Sequence, residues 1–537
     1  VRECVETMID SHEKLILKMR IKSFLKKRGK WQFVINVKHT EKCEVHSVTL
    51  NKRNGEKYYS IPHKSNTLNA FATDVYFEVD LNQLELEPFF WDFYINIKCE
   101  KIKSYRIKHP NFIVNKKINN RLQRDYTKKG YVVYPYITIK NGLSLHFRKK
   151  GEYDRIKYAF KEIMALILFY IFKSYWKRKK IILIYEKFSK TAQDNSYYLF
   201  KYCYSNEKIP NLYYVINKAS NDYDSLIQYE DRVIEFMSIK HLIYLLACQF
   251  MISSESKAHC YIWKENRGKF KQVIHSKKHV FLQHGVLGLK RVDSIFKKDS
   301  PNGTNLFFVS SNYEKNIVKQ HFNYSDDEII VSGLARWDYL RNKTQGNKHI
   351  LVVPTWRESL DEVTKEQFLN SNFYKQYKSM LNNKRLIGIL EEHGITLKFC
   401  MHPRLYSFNS YFTCSSSKVQ FVTQQYEKIN ELIMQSVLLV TDYSSISWDM
   451  YYLEKPIVFF QFDFMTNGYF TDEKELFGDK CVSMDELIQH LTFYINNGFK
   501  EKKKYKKMRK YFFSYVDTNN SKRIVDGILS KIDYLKK

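Results

Sequence analysis

The spacing of apolar and polar positions changes twice along this 537-residue chain, and the changes divide it. From about residue 13 to 150 the two kinds alternate, as in Trp31/Phe33/Ile35/Val37, Val75/Phe77/Val79/Leu81 and Trp91/Phe93/Ile95/Ile97. A period of two belongs to strands with one buried face, so residues 1–150 are expected to form a β-rich, sandwich-like domain. Its last element is a hairpin, signalled by Asn141-Gly142 between the alternating segments of Ile137–Leu145, because both residues tolerate the left-handed backbone of a tight turn. Beyond it, the apolar run Ile163–Phe172 is flanked by Lys157, Lys161, Lys173 and Lys177-Arg178-Lys179-Lys180, with Tyr170, Tyr175 and Trp176 at its edge. A membrane span needs about 20 apolar residues. Residues 151–180 therefore read as a basic amphipathic linker helix, suited either to the headgroup layer or to a core position between two domains.

From about 180 onward, short apolar runs ending in polar loops alternate with helical stretches: Ile181–Tyr185, Val280–Leu282, Leu306–Val309, Ile329–Val331, Ile350–Val353, Thr396–Cys400, Val437–Val440 and Ile457–Phe460. Strands buried on both faces read in this way, and the alternation with helices predicts parallel α/β sheets. The polar stretch Lys343–Lys348 separates two doubly wound halves, 181–345 and 346–537, the second ending in a basic helical tail around Lys502–Lys510. Ligands of such sheets bind at the carboxyl ends of strands, so the chemistry is sought in the loops there.

Composition narrows the partners. The formal charge of +31 favours polyanions: nucleic acid, anionic lipid or a phosphate polymer. The cations are spread through strand and helix positions without a nucleic-acid-binding motif, so no nucleic acid partner is expected. Nine cysteines without a CxxC pair read as reduced, mostly buried thiols. Val1–Asp10 lacks the apolar core of a signal peptide, which favours the cytoplasm.

Four loops carry candidate chemistry. Gln283-His284-Gly285-Val286-Leu287-Gly288-Leu289-Lys290-Arg291 follows a buried-type strand; its glycines let backbone approach a phosphate, and His284 suits a general base. The bland reading is a structural histidine held by local hydrogen bonds. Pro354-Thr355-Trp356-Arg357 and His402-Pro403-Arg404 bring to strand ends an imidazole and two guanidiniums able to fork onto phosphate oxygens, or simply to pair with acidic neighbours. Asp442-Tyr443-Ser444-Ser445, followed by Asp449, combines hydroxyls with a helix start, which serves an anion or plain N-capping. Gln461 and Asp463 end the next strand and suit a ribose or polyol hydroxyl, or a turn.

Taken in order, these segments resemble the CDP-glycerol glycerophosphotransferases, the teichoic acid primases and polymerases, whose hallmarks are a strand-HG loop, P-T-[FW]-R, an HP pair and T/S-D-Y-S-S. Glu186…Asp194-Asn195, Gly333-Leu334-Ala335-Arg336-Trp337-Asp338 and Asp517…Asn520-Ser521…Arg523 extend the resemblance over about 180 to 537. It implies a GT-B-type pair of domains, with the acceptor on the 181–345 side and the CDP donor on the 346–537 side. His284 and His402 are then catalytic, at the acceptor hydroxyl and the donor pyrophosphate. Arg357, Arg404, Ser444 and Ser445 meet donor phosphates, with Asp442, Asp449, Gln461 and Asp463 as further contacts, while Gly285, Lys290 and Arg291 meet acceptor or phosphate. The implied partners are a CDP-polyol, a lipid-linked polyol-phosphate or glycan acceptor and an anionic membrane surface, at the cytoplasmic face of a bacterial membrane. No cofactor is required by the sequence, no metal site is predicted, and a divalent cation is left open. Gln283 and Val286 replace the family's usual Trp and Thr, and Ala335 its Pro, which leaves glycerol, ribitol or a sugar phosphate open. A sugar-nucleotide glycosyltransferase of the same fold is the alternative.

Overall fold

The computed structural model describes residues 16–27, 30–39, 43–53, 55, 57–98, 101–119, 125–126, 130–138, 141–262, 268–344, 346, 348–360, 363–424, 427–464, 468–470 and 475–536. The N-terminal decapeptide and residues 139–140 of the expected hairpin lie outside them. The chain divides into two compact units: Val1–Ala159 with Asn266–Gln272, and Phe160–Glu265 with Val273–Lys537.

The first unit is built from β1 (Ile16–Lys27), β2 (Lys30–His39), β3 (Glu44–Lys52), β4 (Tyr58–Ile61), β5 (His63–Asn69), β6 (Ala72–Asp80), β7 (Phe89–Lys98), β8 (Ile102–Arg106), β9 (Asp125–Tyr126), β10 (Tyr131–Ile137) and β11 (Leu143–Lys149). They form two sheets, β1-β2-β6-β5 and β4-β3-β7-β11-β10-β9, with β8 alongside β7. The pairings within each are antiparallel. The alternating positions do what their period predicts: Trp31, Phe33, Val75 and Phe77 from one sheet share a core with Leu50, Trp91, Phe93 and Ile95 from the other. The β10–β11 hairpin pairs Ile137 with Leu143, and Asn141 takes the left-handed backbone (φ 60°).

Cys43, expected to be a free thiol, is instead disulfide-bonded. It lies just before β3, and in a chain without a CxxC pair the spacing of the cysteines gives no sign of the bond. Cys203, Cys248, Cys260, Cys400, Cys414 and Cys481 are free.

The second unit contains two parallel sheets. The first comprises β12 (Ile182–Tyr185), β13 (Leu212–Ile216), β14 (Val233–Glu235), β15 (Phe250–Ser253), β16 (Lys278–Phe281), β17 (Leu306–Val309) and β18 (Ile329–Val331), in the order β14-β13-β12-β15-β16-β17-β18. The second comprises β19 (His349–Val353), β20 (Thr396–Cys400), β21 (Val419–Val422), β22 (Ser436–Thr441), β23 (Ile457–Phe460) and β24 (Asp479–Cys481), in the order β21-β20-β19-β22-β23-β24. In each sheet the order reverses beside the founding strand, between β12 and β15 and between β19 and β22. Such reversals open a crevice at the strands' carboxyl ends.

The chain's end, grouped with 346–537 by the sequence reading, crosses back: Ile524, Val525 and Ile528 of the helix Asn520–Ser530 pack into the core of the first sheet. The basic helix Lys503–Phe512 is anchored rather than free. Tyr505, Phe512 and Phe513 are core residues, Arg509 is buried against Glu501 (2.7 Å), and Lys502 pairs with Asp479 (2.7 Å). The aromatic residues beside these lysines are therefore mostly spent on packing. The helix Ile156–Ile171 buries Ala165 and Phe169 but leaves Phe160, Ile163, Ile167, Tyr170 and Ile171 exposed along one stripe. No described helix is long and apolar enough to cross a membrane.

Candidate active site

All four candidate loops leave carboxyl ends of these strands, and two of them, from β19 and β22, flank the switch point of the second sheet. Asp442 organises that point. Buried at the end of β22, it accepts the Thr355 and Tyr443 N–H groups (2.8 and 2.6 Å) and the Tyr377 hydroxyl (3.2 Å), and it pairs with Arg357 Nη2 at 2.8 Å. Arg357 also forks onto both oxygens of Asp463 (2.9 and 2.8 Å) and donates to the Thr355 carbonyl. Its guanidinium is thus held mainly by carboxylates and backbone. Gln461 donates to the Asp442 carbonyl (2.9 Å). Asp442, Arg357, Asp463 and Gln461 form one bracing network.

Arg404 and His402 are placed differently. Arg404 is exposed and lies 4.3 Å over the Trp356 ring, while Lys290, from the His-Gly loop, reaches the same ring at 5.8 Å. Burial, with Arg357 and Arg404 nearby, pushes the Lys290 ammonium down. His402 Nδ1 accepts the Arg404 N–H (3.3 Å), so a neutral ring carries its proton on Nε2. Burial first, then Lys187, Arg404 and Lys290, push its pKa down to about 3, which keeps the ring neutral at physiological pH. Arg291 is turned aside and covers Tyr469 at 5.4 Å.

Ser444 and Ser445 precede the short helix Ile446–Tyr452, whose N-cap makes no side-chain hydrogen bond. The capping role weighed for these serines, and for Asp442, is not used.

The His-Gly loop meets this edge closely. A Cβ at Gly285 would lie 2.5 Å from Ser445 Oγ, and one at Gly288 would lie 2.8 Å from the Trp448 ring; only glycine permits both approaches. Gln283 has φ 60° and is buried, its amide donating to the Phe308 carbonyl (2.6 Å), its own carbonyl accepting from Asn195 (2.7 Å). With Gln283 so held, the adjacent His284 is exposed. Behind it lies Arg336, 4% exposed, which forks onto Asp449 (3.0 Å to each oxygen) and bonds Asp194 Oδ1 (2.8 Å) and the His284 carbonyl (3.1 Å). Trp337 Nε1 also donates to Asp449 (2.7 Å). Asp449 is therefore a tie between the two sheets' loops rather than a surface open to ligand. The 186–197 loop completes the frame: Glu186, its carboxyl pushed up by burial and by Asp194, accepts the N–H groups of Gln193, Asp194 and Tyr197 at 2.8–3.0 Å.

Sequence reasoning names Arg336 only as part of a pattern and misses Lys187, Glu255 and His259, which stand on neighbouring loops of the first sheet. Arg336 is legible in Gly333–Asp338; the other three carry no local signal, because only strand order brings them to the His284 side. Among the described residues no group of three or more His, Cys, Asp or Glu side chains is placed to hold a metal ion.

A family model described as CDP-Glycerol:Poly(glycerophosphate) glycerophosphotransferase matches residues 167–530. The minor teichoic acid biosynthesis protein GgaB of Bacillus subtilis (strain 168) is 27% identical over 479 residues, 81% of this chain and 51% of that protein. The teichoic acid poly(glycerol phosphate) polymerase of the same strain is 24% identical over 367 residues, 58% of this chain and 43% of that protein. The chain thus spans about half the length of these curated relatives. A solved structure of the wall teichoic acid polymerase TagF overlaps 71% of this chain and 99% of its own, with a TM-score of 0.48 and 16% identity.

Proposed function

The chain belongs to the CDP-glycerol:poly(glycerophosphate) glycerophosphotransferase family, and from that premise we propose that it moves glycerol phosphate or ribitol phosphate from a CDP-polyol to a hydroxyl of a lipid-linked teichoic acid or capsule chain, releasing CMP. The observation that carries this reading is the juxtaposition of the His284 loop with Ser445, locked by Arg336 between Asp194 and Asp449. In this reading the two parallel sheets are a GT-B-type pair, with the acceptor along the first and the CDP donor along the second.

His284 accepts the proton of the acceptor hydroxyl. That oxygen forms a bond to the phosphorus bearing the donor's polyol, the bond from this phosphorus to the bridging oxygen breaks, and CMP leaves with that oxygen. His402 Nε2–H donates a hydrogen bond to the pyrophosphate, and Arg404, Lys290, Ser444 and Ser445 neutralise and orient it. Positioning and charge neutralisation are what phosphoryl transfer asks of a protein. Arg357 serves by holding the Thr355–Trp356 turn rather than by touching phosphate. No cofactor is invoked; whether a divalent cation assists is read from activity with and without chelator. The exposed stripe Phe160–Ile171, with Lys157, Lys161 and Lys173 beside it, suits attachment to an anionic membrane surface.

The test is incorporation of labelled polyol into a lipid-linked acceptor from CDP-glycerol and CDP-ribitol, beside a panel of labelled UDP-sugars. Incorporation from a CDP-polyol supports the proposal. Incorporation from a UDP-sugar alone replaces it with a glycosyltransferase.

A further inference from the structure

The first sheet has its own switch point, between β12 and β15, and the machinery above uses only its rim. Two loops flank the crevice there: Glu186-Lys187-Phe188-Ser189 after β12, and the segment after β15 that carries Glu255 and His259. The first is strained. Phe188 (φ 55°) and Ser189 (φ 51°) are successive non-glycine residues in the left-handed region, at a cost of about 1–2 kcal/mol each.

The second loop holds that strain in place. The His259 ring stacks on Phe188 (4.4 Å between centroids, 22° between planes), its Nδ1 accepts the Phe188 N–H (3.4 Å), and its carbonyl accepts the Ser189 hydroxyl (3.2 Å). Glu186, on the other side, is fixed by its three backbone donors. What this clamp presents is Lys187. Its side chain is exposed and has neither an ion pair within 4.0 Å nor a hydrogen bond among the described residues. Its charge nevertheless acts on Glu255 and His259 of its own wall, and on His402 across from it. An unpaired ammonium presented by a strained turn, near enough to His402 to act on it, is an anion contact, and the donor already has Arg404 and Lys290.

We infer that Lys187 binds a phosphodiester of the acceptor chain, the one next to the terminal hydroxyl that His284 deprotonates. The inference rests on the transferase reading and adds what that reading lacks, a residue that recognises an acceptor already carrying polyol phosphate.

The experiment measures CMP release by the full chain with acceptor and donor varied in turn, using a polyol-phosphate-primed lipid acceptor and the same lipid-linked glycan without phosphate. Lys187→Ala is expected to raise KM for the primed acceptor about tenfold, the size of one charge-assisted contact, with donor KM unchanged. Lys187→Arg keeps most of the affinity, the effect vanishes on the unprimed acceptor, and Lys208→Ala, an exposed lysine elsewhere, changes nothing. An unchanged acceptor KM in Lys187→Ala, or a raised donor KM, overturns the assignment while leaving the transferase reading intact. Wild-type protein that releases no CMP from CDP-glycerol or CDP-ribitol overturns both. Calorimetric titration of wild type and Lys187→Ala with a short soluble polyol-phosphate oligomer tests the contact independently of turnover: weaker binding by the variant supports it, and equal affinities refute it.

Discussion

Replacing Arg336 by alanine tests the frame on which the site depends. The guanidinium makes four hydrogen bonds from a 4% exposed position: two to Asp449, one to Asp194 and one to the His284 carbonyl. Its loss leaves the buried Asp449 carboxylate to the Trp337 indole N–H, a neutral donor. Removing one partner of a buried pair costs about 3–5 kcal/mol, most of it from the charge left behind. Arg336→Met combined with Asp449→Leu removes both charges, so the double variant should lose less stability than Arg336→Ala. Proton linkage gives an independent check. Burial already pushes the Asp449 carboxyl up, and Arg336 opposes that shift, so without the arginine the folded-state pKa rises further. A group raised in the folded state is stabilising below its unfolded pKa and loses that contribution as pH rises through the folded value. The deficit of Arg336→Ala should therefore shrink on going to acid pH. Chemical unfolding at several pH values reads this, and turnover of the surviving folded fraction should also fall, because the His284 carbonyl has lost its anchor. A loss below about 1 kcal/mol, of surface ion-pair size, and independent of pH would refute the reasoning.

Other perturbations follow from the same geometry. Gly285→Ala should cut turnover at least about tenfold, because displacing reacting groups by an ångström costs far more than that, and Gly285→Ala with Ser445→Gly should recover part of it; turnover equal to wild type in Gly285→Ala would show that the contact is slack. His402, held near pKa 3 by burial and three neighbouring cations, should show no ring protonation by NMR between pH 5 and 8, and Lys187→Ala should shift its titration upward. A depressed histidine contributes stability that is intact above its unfolded pKa and is lost progressively as pH falls from there to the folded value, so the decline should run from about 6.5 down to about 3. Asp463→Asn weakens the fork on Arg357 and should lower donor affinity by loosening the Thr355–Trp356 turn, read as a raised donor KM with acceptor KM unchanged.

The parts of this fold legible in the sequence are those with their own periodicity. Trp31/Phe33/Ile35/Val37 alternate because one face is buried, and Leu306–Val309 is wholly apolar because both faces are. Asp479–Cys481 leaves no such trace, being three residues long with Lys480 exposed. Leu212–Ile216 and Val419–Val422 are equally hard to read, because tyrosines or an exposed glutamine interrupt the apolar run. The candidate loops stand out because glycine, histidine and arginine at strand ends are unusual, but their division of labour does not. Nothing local distinguishes Arg404, exposed on the Trp356 ring, from Arg357, whose partners Asp442 and Asp463 arrive from other strands. The same holds for Asp449, which reads as a ligand contact and is the partner of Arg336, and for Cys43, which is disulfide-bonded.

The most direct measurement of the central claim is CMP release from CDP-glycerol and from CDP-ribitol with a lipid-linked acceptor, comparing the natural chain with His284→Ala and His402→Ala. Release by the natural chain from one of the two donors is predicted, with its collapse in both variants by at least the hundredfold typical of losing a general base or a pre-organised donor, roughly 2.7 kcal/mol. Undiminished release in either variant, or none from either donor in the natural chain, would contradict the claim.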